Sequence, residues 1–136
     1  MHFEYKVAGG DFKRAGYASS EVKKNLKQLN VNPKIIKRIV VALYEAEVNI
    51  VAHAYRGKVY VDIDTEKVSL FLKDQGPGIP DIPRAMEKGY STASQTVQEM
   101  GFGAGMGLHN MKTNADEFDI QSEVEVGTAV RMVVYL

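Results

Sequence analysis

The sequence contains no cysteine. That excludes disulfides, thiolate catalysis and cysteine-based zinc sites. It also lacks net charge: 17 basic and 17 acidic residues cancel. A general electrostatic attraction to nucleic acid or to anionic membranes is therefore missing. No apolar run approaches the roughly 18 residues of a membrane span, and the opening MHFEYKV is too short and too polar for a signal peptide. An intracellular, cytoplasmic, soluble chain is expected, with 136 residues forming a single domain over 1–136.

Glycine is present but unevenly placed. Seven of the 12 glycines fall between Lys73 and Asn110: Gly76, Gly78, Gly89, Gly101, Gly103, Gly105 and Gly107. Clustered glycine is entropically costly and is tolerated where the backbone takes positive φ or approaches a ligand closely. Two clusters frame the stretch. Asp74-Gln75-Gly76-Pro77-Gly78 follows an apolar strand-like run, and Gly101-Phe102-Gly103-Ala104-Gly105-Met106-Gly107-Leu108 precedes a helix-like run.

The remaining elements follow from periodicity. His2 to Val7 alternates as a half-buried strand. Phe12 to Leu29 reads as a helix, capped by Asp11, with Ser19-Ser20 as its weak point. Asn32-Pro33 opens a second helix running to about Tyr55. On it Glu45 and Asn49 lie four apart on one face, His53 extends that face, and Glu47 points about 200° away from Glu45. Val59–Ile63 and Lys67–Leu72 form a hairpin. Asp81 to Lys88 reads as a short helix, and the polar stretch 90–100 as a lid. Gly107–Asn114 reads as a helix, and Phe118–Val124 and Thr128–Tyr135 as two closing strands. Strands in hairpins and helices in pairs predict an α+β, two-layer sandwich: a mixed, mostly antiparallel sheet with helices on one face.

No Gly-Lys-Ser/Thr follows the glycines, so this is not a P-loop; nor do they sit in a βαβ dinucleotide unit. A helix start behind glycines does, however, offer free amides and a positive dipole end to phosphate.

Four pieces occur in order: Glu45 with Asn49, Asp74-x-Gly76-x-Gly78, the second glycine cluster, and Gly127-Thr128. This order and spacing resembles the four boxes of the Bergerat-fold ATP-binding domain shared by DNA gyrase B, MutL and sensor histidine kinases. Within it, Asp74-Gln75-Gly76-Pro77-Gly78-Ile79-Pro80-Asp81, Gly89-Tyr90-Ser91-Thr92 and Asp116-Glu117-Phe118 are most similar to the anti-sigma factor serine/threonine kinases, the stressosome switch kinase above all.

The resemblance implies ATP and Mg²⁺ as cofactors. It implies Asn49 as the Mg²⁺ ligand, Glu45 as the residue that orients or deprotonates the attacking hydroxyl, and Asp74 as the acceptor for the adenine amino group. Gly76 and Gly78 would let the base approach, and Thr128 would bond the adenine side. Gly103, Gly105, Met106, Gly107 and Leu108 would supply the phosphate end. His53 and Lys112 are secondary candidates, each with a plain reading as a packed histidine and a solvated lysine. The implied substrate is a STAS-domain anti-anti-sigma protein. A sigma factor and a second copy of the chain are further candidate partners, and neither nucleic acid nor membrane is expected. Two other readings stay open: an anti-sigma factor acting by binding, with nucleotide tuning its affinity, and a nucleotide-binding scaffold with little catalysis.

Overall fold

The computed structural model describes residues 1–87 and 107–136. Five strands form one sheet in the order β1-β2-β3-β5-β4. They are β1 (His2–Ala8), β2 (Arg56–Ile63), β3 (Lys67–Gln75), β4 (Glu117–Glu123) and β5 (Gly127–Tyr135). All four pairings are antiparallel, so the parallel component of a mixed sheet is absent among the described strands. The reason lies in the connection between β1 and β2. Two helices, α1 (Tyr17–Gln28) and α2 (Pro33–His53), run out and back. The end of α2 returns to the end of β1, where the Gly9 and Gly10 amides donate to the Tyr55 and Val51 carbonyls at 2.8 Å each. The chain therefore re-enters the sheet beside β1 and in the opposite sense.

Alternation along the strands sends one set of side chains to the helices. Val59, Val61 and Ile63 of β2, Val68, Leu70 and Leu72 of β3, and Val130, Met132 and Val134 of β5 are all buried. They pack on Leu26 of α1, Ile39, Leu43 and Ile50 of α2, and Met111 of the last helix. Each such side chain contributes roughly 1.5–3 kcal/mol by leaving water. The apolar stripe of α2 makes it the central helix, as its composition predicts.

The Asn32-Pro33 boundary is as expected: the Asn32 side chain accepts from the Lys34 amide at 2.9 Å. At its other end α2 stops at His53, two residues short of the expected Tyr55, because Ala54 turns to extended backbone. The expected helix 12–29 is divided. Phe12–Arg14 forms a single 3₁₀ turn, Gly16 takes φ 92°, and α1 begins only at Tyr17. Asp11 makes no capping bond. The cap comes from elsewhere in the chain: the Glu47 carboxylate accepts from the Ala18 amide (3.0 Å), the Ser19 amide (3.1 Å) and the Ser19 hydroxyl (2.7 Å). Glu47 is 2% exposed, so these three bonds are what offset its desolvation. The serine pair read as a weak point is thus where α1 is fastened to α2.

A short helix, α3 (Ile82–Ala85), follows β3, with Asp81 accepting from the Arg84 amide at 3.1 Å. It is shorter than the expected 81–88, whose last residue lies outside the described residues. The final helix, α4 (Gly107–Asn114), packs against α2.

Candidate functional site

Glu45 and Asn49 are both half-buried on α2. α4 comes to them at Gly107. A Cβ placed on Gly107 would lie 3.5 Å from Glu45 Oε2 and 3.7 Å from Asn49 Oδ1. The carboxylate and the amide oxygen therefore converge on one backbone position of α4. One turn along α4, Asn110 donates its side-chain amide to Glu45 Oε1 at 3.2 Å. The two oxygens of Glu45 are thereby made unequal. Oε1 is held by Asn110, while Oε2 faces the opening of α4.

The second pole of the site is at the end of β3. Asp74 Oδ1 accepts from the Thr128 amide at 3.0 Å. The Asp74 carbonyl is 2.1 Å from where a Cβ on Gly127 would stand, so no side chain fits at 127. Burial raises the Asp74 carboxyl above its ordinary value, with the Thr128 amide pulling the other way. Thr128 Oγ1 lies 2.9 Å from Ser122 Oγ, which also accepts from the Ile79 amide (2.7 Å) and donates to the Gly127 carbonyl (3.1 Å). A hydroxyl has one proton, so Thr128 is the donor to Ser122.

Gly78 takes φ 75°, and a Cβ there would stand 2.3 Å from the Glu123 carbonyl. In this fold its missing side chain accommodates the β4–β5 turn. Gly76 packs against Ala54 at the end of α2, with the position of its Cβ 2.9 Å from the Ala54 Cα. That contact brings the Asp74 segment to the same end of α2 that carries Asn49. His53, one turn beyond Asn49, is half-buried, and burial lowers its affinity for a proton.

The sequence pattern of the histidine kinase-like ATPase domain matches residues 12–134 of the chain. The chain belongs to the histidine kinase-like ATPase family. Within that family it groups with the anti-sigma serine/threonine kinases. It is 33% identical over 103 residues to the serine/threonine-protein kinase RsbT of Bacillus subtilis, covering 73% of this chain and 71% of that one. It is 32% identical over 114 residues to the anti-sigma F factor of a Thermoanaerobacter species, covering 80% and 76%. With the anti-sigma F factor of Bacillus velezensis it shares 28% over 142 residues, spanning 100% of this chain and 92% of the relative. The relatives it matches are thus named both as a serine/threonine kinase and as anti-sigma factors.

Of the candidate residues, Glu45 and Asn49 of α2 stand side by side at α4, and Asp74 is bonded to Thr128. Gly103, Gly105 and Met106, and the lid 90–100, lie outside the described residues. Leu108 is buried in the core, so only its backbone is free for a ligand. Lys112 is exposed on α4. No helix among the described residues is long and apolar enough to cross a membrane. Three positions that hold the site and the helices around it were not visible in the sequence: Asn110, Ser122 and Glu47. Asn110 had a signal, since it lies one turn from Gly107 on the helix already suspected. Glu47 had none, because its partners lie on α1, and Ser122 had none, because Ile79 meets Gly127 and Thr128 around it only in the folded sheet.

Proposed function

We propose that residues 1–136 form a single ATPase domain that binds Mg-ATP and transfers its γ-phosphate to a serine or threonine of a STAS-domain anti-sigma antagonist in the cytoplasm. The observation that carries this reading is the unequal Glu45 carboxylate, one oxygen held by Asn110 and the other turned to Gly107 beside Asn49.

The donor set suits the ion. Asn49 Oδ1 is a hard, neutral oxygen beside a backbone with no side chain, leaving room for an ion that keeps waters and phosphate oxygens. When bound, Mg²⁺ supplies neutralisation of phosphate charge, with Asn49 as its protein ligand. Glu45 Oε2 takes the proton of the substrate hydroxyl as its oxygen bonds to the γ-phosphorus and the bond to the β-phosphate oxygen breaks, releasing ADP. Asp74 keeps one oxygen on Thr128 and offers the other to the adenine amino group. Thr128, Gly76 and Gly78 line that end, and the amides of Gly103, Gly105, Met106, Gly107 and Leu108 hold phosphate.

Two of the three relatives named above are called anti-sigma factors. That favours a second reading, in which the chain acts mainly by holding a sigma factor and nucleotide tunes the affinity, with a homodimer as the binding form.

The test is thermal unfolding with Mg-ATP, followed by transfer to a candidate antagonist. ATP at 100-fold over Kd should add roughly 2.7 kcal/mol. Glu45→Ala should bind ATP but not transfer, and Asn49→Ala should lose Mg²⁺-dependent binding. Full transfer by the Glu45 variant would remove it as base. Binding of ATP without transfer by the wild-type protein would select the second reading, and no ATP stabilisation at all would defeat both.

A further inference from the structure

The face of the sheet turned away from the helices carries a charge arrangement that folding alone does not favour. Lys6 of β1 stands directly opposite Lys58 of β2, and Lys58 directly opposite Lys73 of β3. All three are exposed. Directly opposed residues on one face have Cβ atoms about 5 Å apart, and like charges so placed destabilise the sheet. Among the described residues none of the three lysines makes an ion pair or a hydrogen bond. The row continues into the uncharged Ala129 and Gln121. In a chain of zero net charge this is a local concentration of one sign.

The next row along the strands is different in kind. Tyr60 stands opposite Phe71, rings 5.9 Å apart, and the Arg131 guanidinium lies 4.6 Å over the Phe71 ring. Acids close the row at both edges, Glu4 on β1 and Asp119 on β4. Beyond it, Asp62 is held by His2 at 2.7 Å, and Glu117 marks the far edge.

We infer that this face docks a partner protein through a segment that carries acidic side chains beside an apolar one. The acids meet Lys6, Lys58 and Lys73, and the apolar side chain meets the Tyr60–Phe71 platform. Charge complementarity selects this occupant. A nucleic acid or an anionic membrane would extend its phosphates past the lysine row onto Glu4, Asp62, Asp119 and Glu117, which repel them. An acidic peptide segment is short enough to use the lysine row alone. The lysines lose stability in the free protein and regain it in the complex, which is the pattern of a recognition surface rather than a structural one. This inference does not depend on how the nucleotide site works, because it concerns the opposite face of the sheet.

The probe is a labelled synthetic peptide of repeating Glu-Glu-Leu, with a Lys-Lys-Leu peptide, duplex DNA and phosphatidylserine vesicles as comparisons. Binding is followed by fluorescence anisotropy for the soluble probes and by co-sedimentation for vesicles. The acidic peptide should bind the wild-type protein and weaken as salt is raised. Lys58→Glu should lower that affinity roughly tenfold and raise the melting temperature of the free protein by about 2 °C or more. Joint loss of binding and gain of stability is the expected signature. Equal affinity in the variant, a lower melting temperature, equal binding of the basic peptide, or tighter binding of DNA or vesicles would overturn the inference. So would a wild-type dimer that Lys58→Glu dissociates, since a second copy would then cover the face.

Discussion

Asn110 gives its side-chain amide to Glu45 across 3.2 Å, linking two residues 65 positions apart and fixing which carboxylate oxygen remains free. If Glu45 is the base, Asn110 is its positioning residue. Asn110→Ala should lower kcat roughly tenfold with little change in the KM for ATP, a fraction of what a general base supplies. Asn110→Asp is the sharper test. It puts a carboxylate where the amide donor stood, so the hold on Oε1 is replaced by repulsion and kcat should fall further than in the alanine variant, while Asn110→Gln should recover part of it. Unchanged kcat in these variants would reduce Asn110 to a structural contact.

Glu47 should behave in the opposite way, mattering to stability and not to chemistry. Glu47→Ala leaves the buried amides of Ala18 and Ser19 without their acceptor. A loss on the order of 3 kcal/mol is expected, or about 10 °C in melting temperature for a domain of this size. Ser19→Ala removes one of the three bonds and should cost about 1 kcal/mol. Calorimetry checks both, and ATP affinity measured well below the melting temperature should not move.

In the proposed function Asp74 trades stability for recognition. Burial raises its proton affinity in the folded state. Above the folded value the ionised carboxylate costs stability, and this cost falls away as pH drops through that value towards the unfolded 3.8. Asp74→Asn keeps an acceptor for the Thr128 amide and removes the charge. The variant should be more stable than the parent at pH 7, and the gap should close near pH 4. Its ATP affinity should fall roughly ten- to a hundredfold, because a charged acceptor is lost. Urea titrations at the two pH values and a nucleotide binding curve test this. A variant less stable at pH 7 would contradict it.

His53 gives the opposite slope. Burial lowers its proton affinity below the ordinary 6.5 of a histidine. As pH falls below 6.5 the unfolded chain takes up the proton first, and stability declines until the lower folded value is reached. His53→Gln should flatten the decline in that window, measured by denaturant midpoints from pH 7 downward. A profile identical to the parent would show that the ring is not a source of the acid sensitivity.

Some of this was written locally in the chain and some was not. Asn32-Pro33 specifies a helix start through two adjacent residues, so it could be read directly. Glu45 and Asn49 could be placed on one face because helix geometry alone decides it. Alternation in β2, β3 and β5 gave the buried face. The start of α1 could not be read, because its cap is a carboxylate 28 and 29 positions away and depends on how two helices cross. Periodicity ran through Gly16, where the backbone conformation breaks the helix. Ser122 was silent for the same reason: its three partners meet only after β5 has paired with β4 and the segment after β3 has folded over them. Gly78 was readable as a special glycine, but the neighbour that requires it, the Glu123 carbonyl, was not.

The strand order has a consequence for assembly. β5 lies between β3 and β4 although β4 precedes it in the chain, and among the described strands β4 pairs with β5 alone. β4 therefore joins the sheet only through its hairpin with β5, when β5 docks on β3. The same strand brings Gly127 and Thr128 to Asp74. Closing the sheet and completing that end of the site are one cooperative event, so hydrogen exchange at the Thr128 amide should track global unfolding. A partly folded chain then has no competence for nucleotide, and a ligand cannot trap it short of the native state.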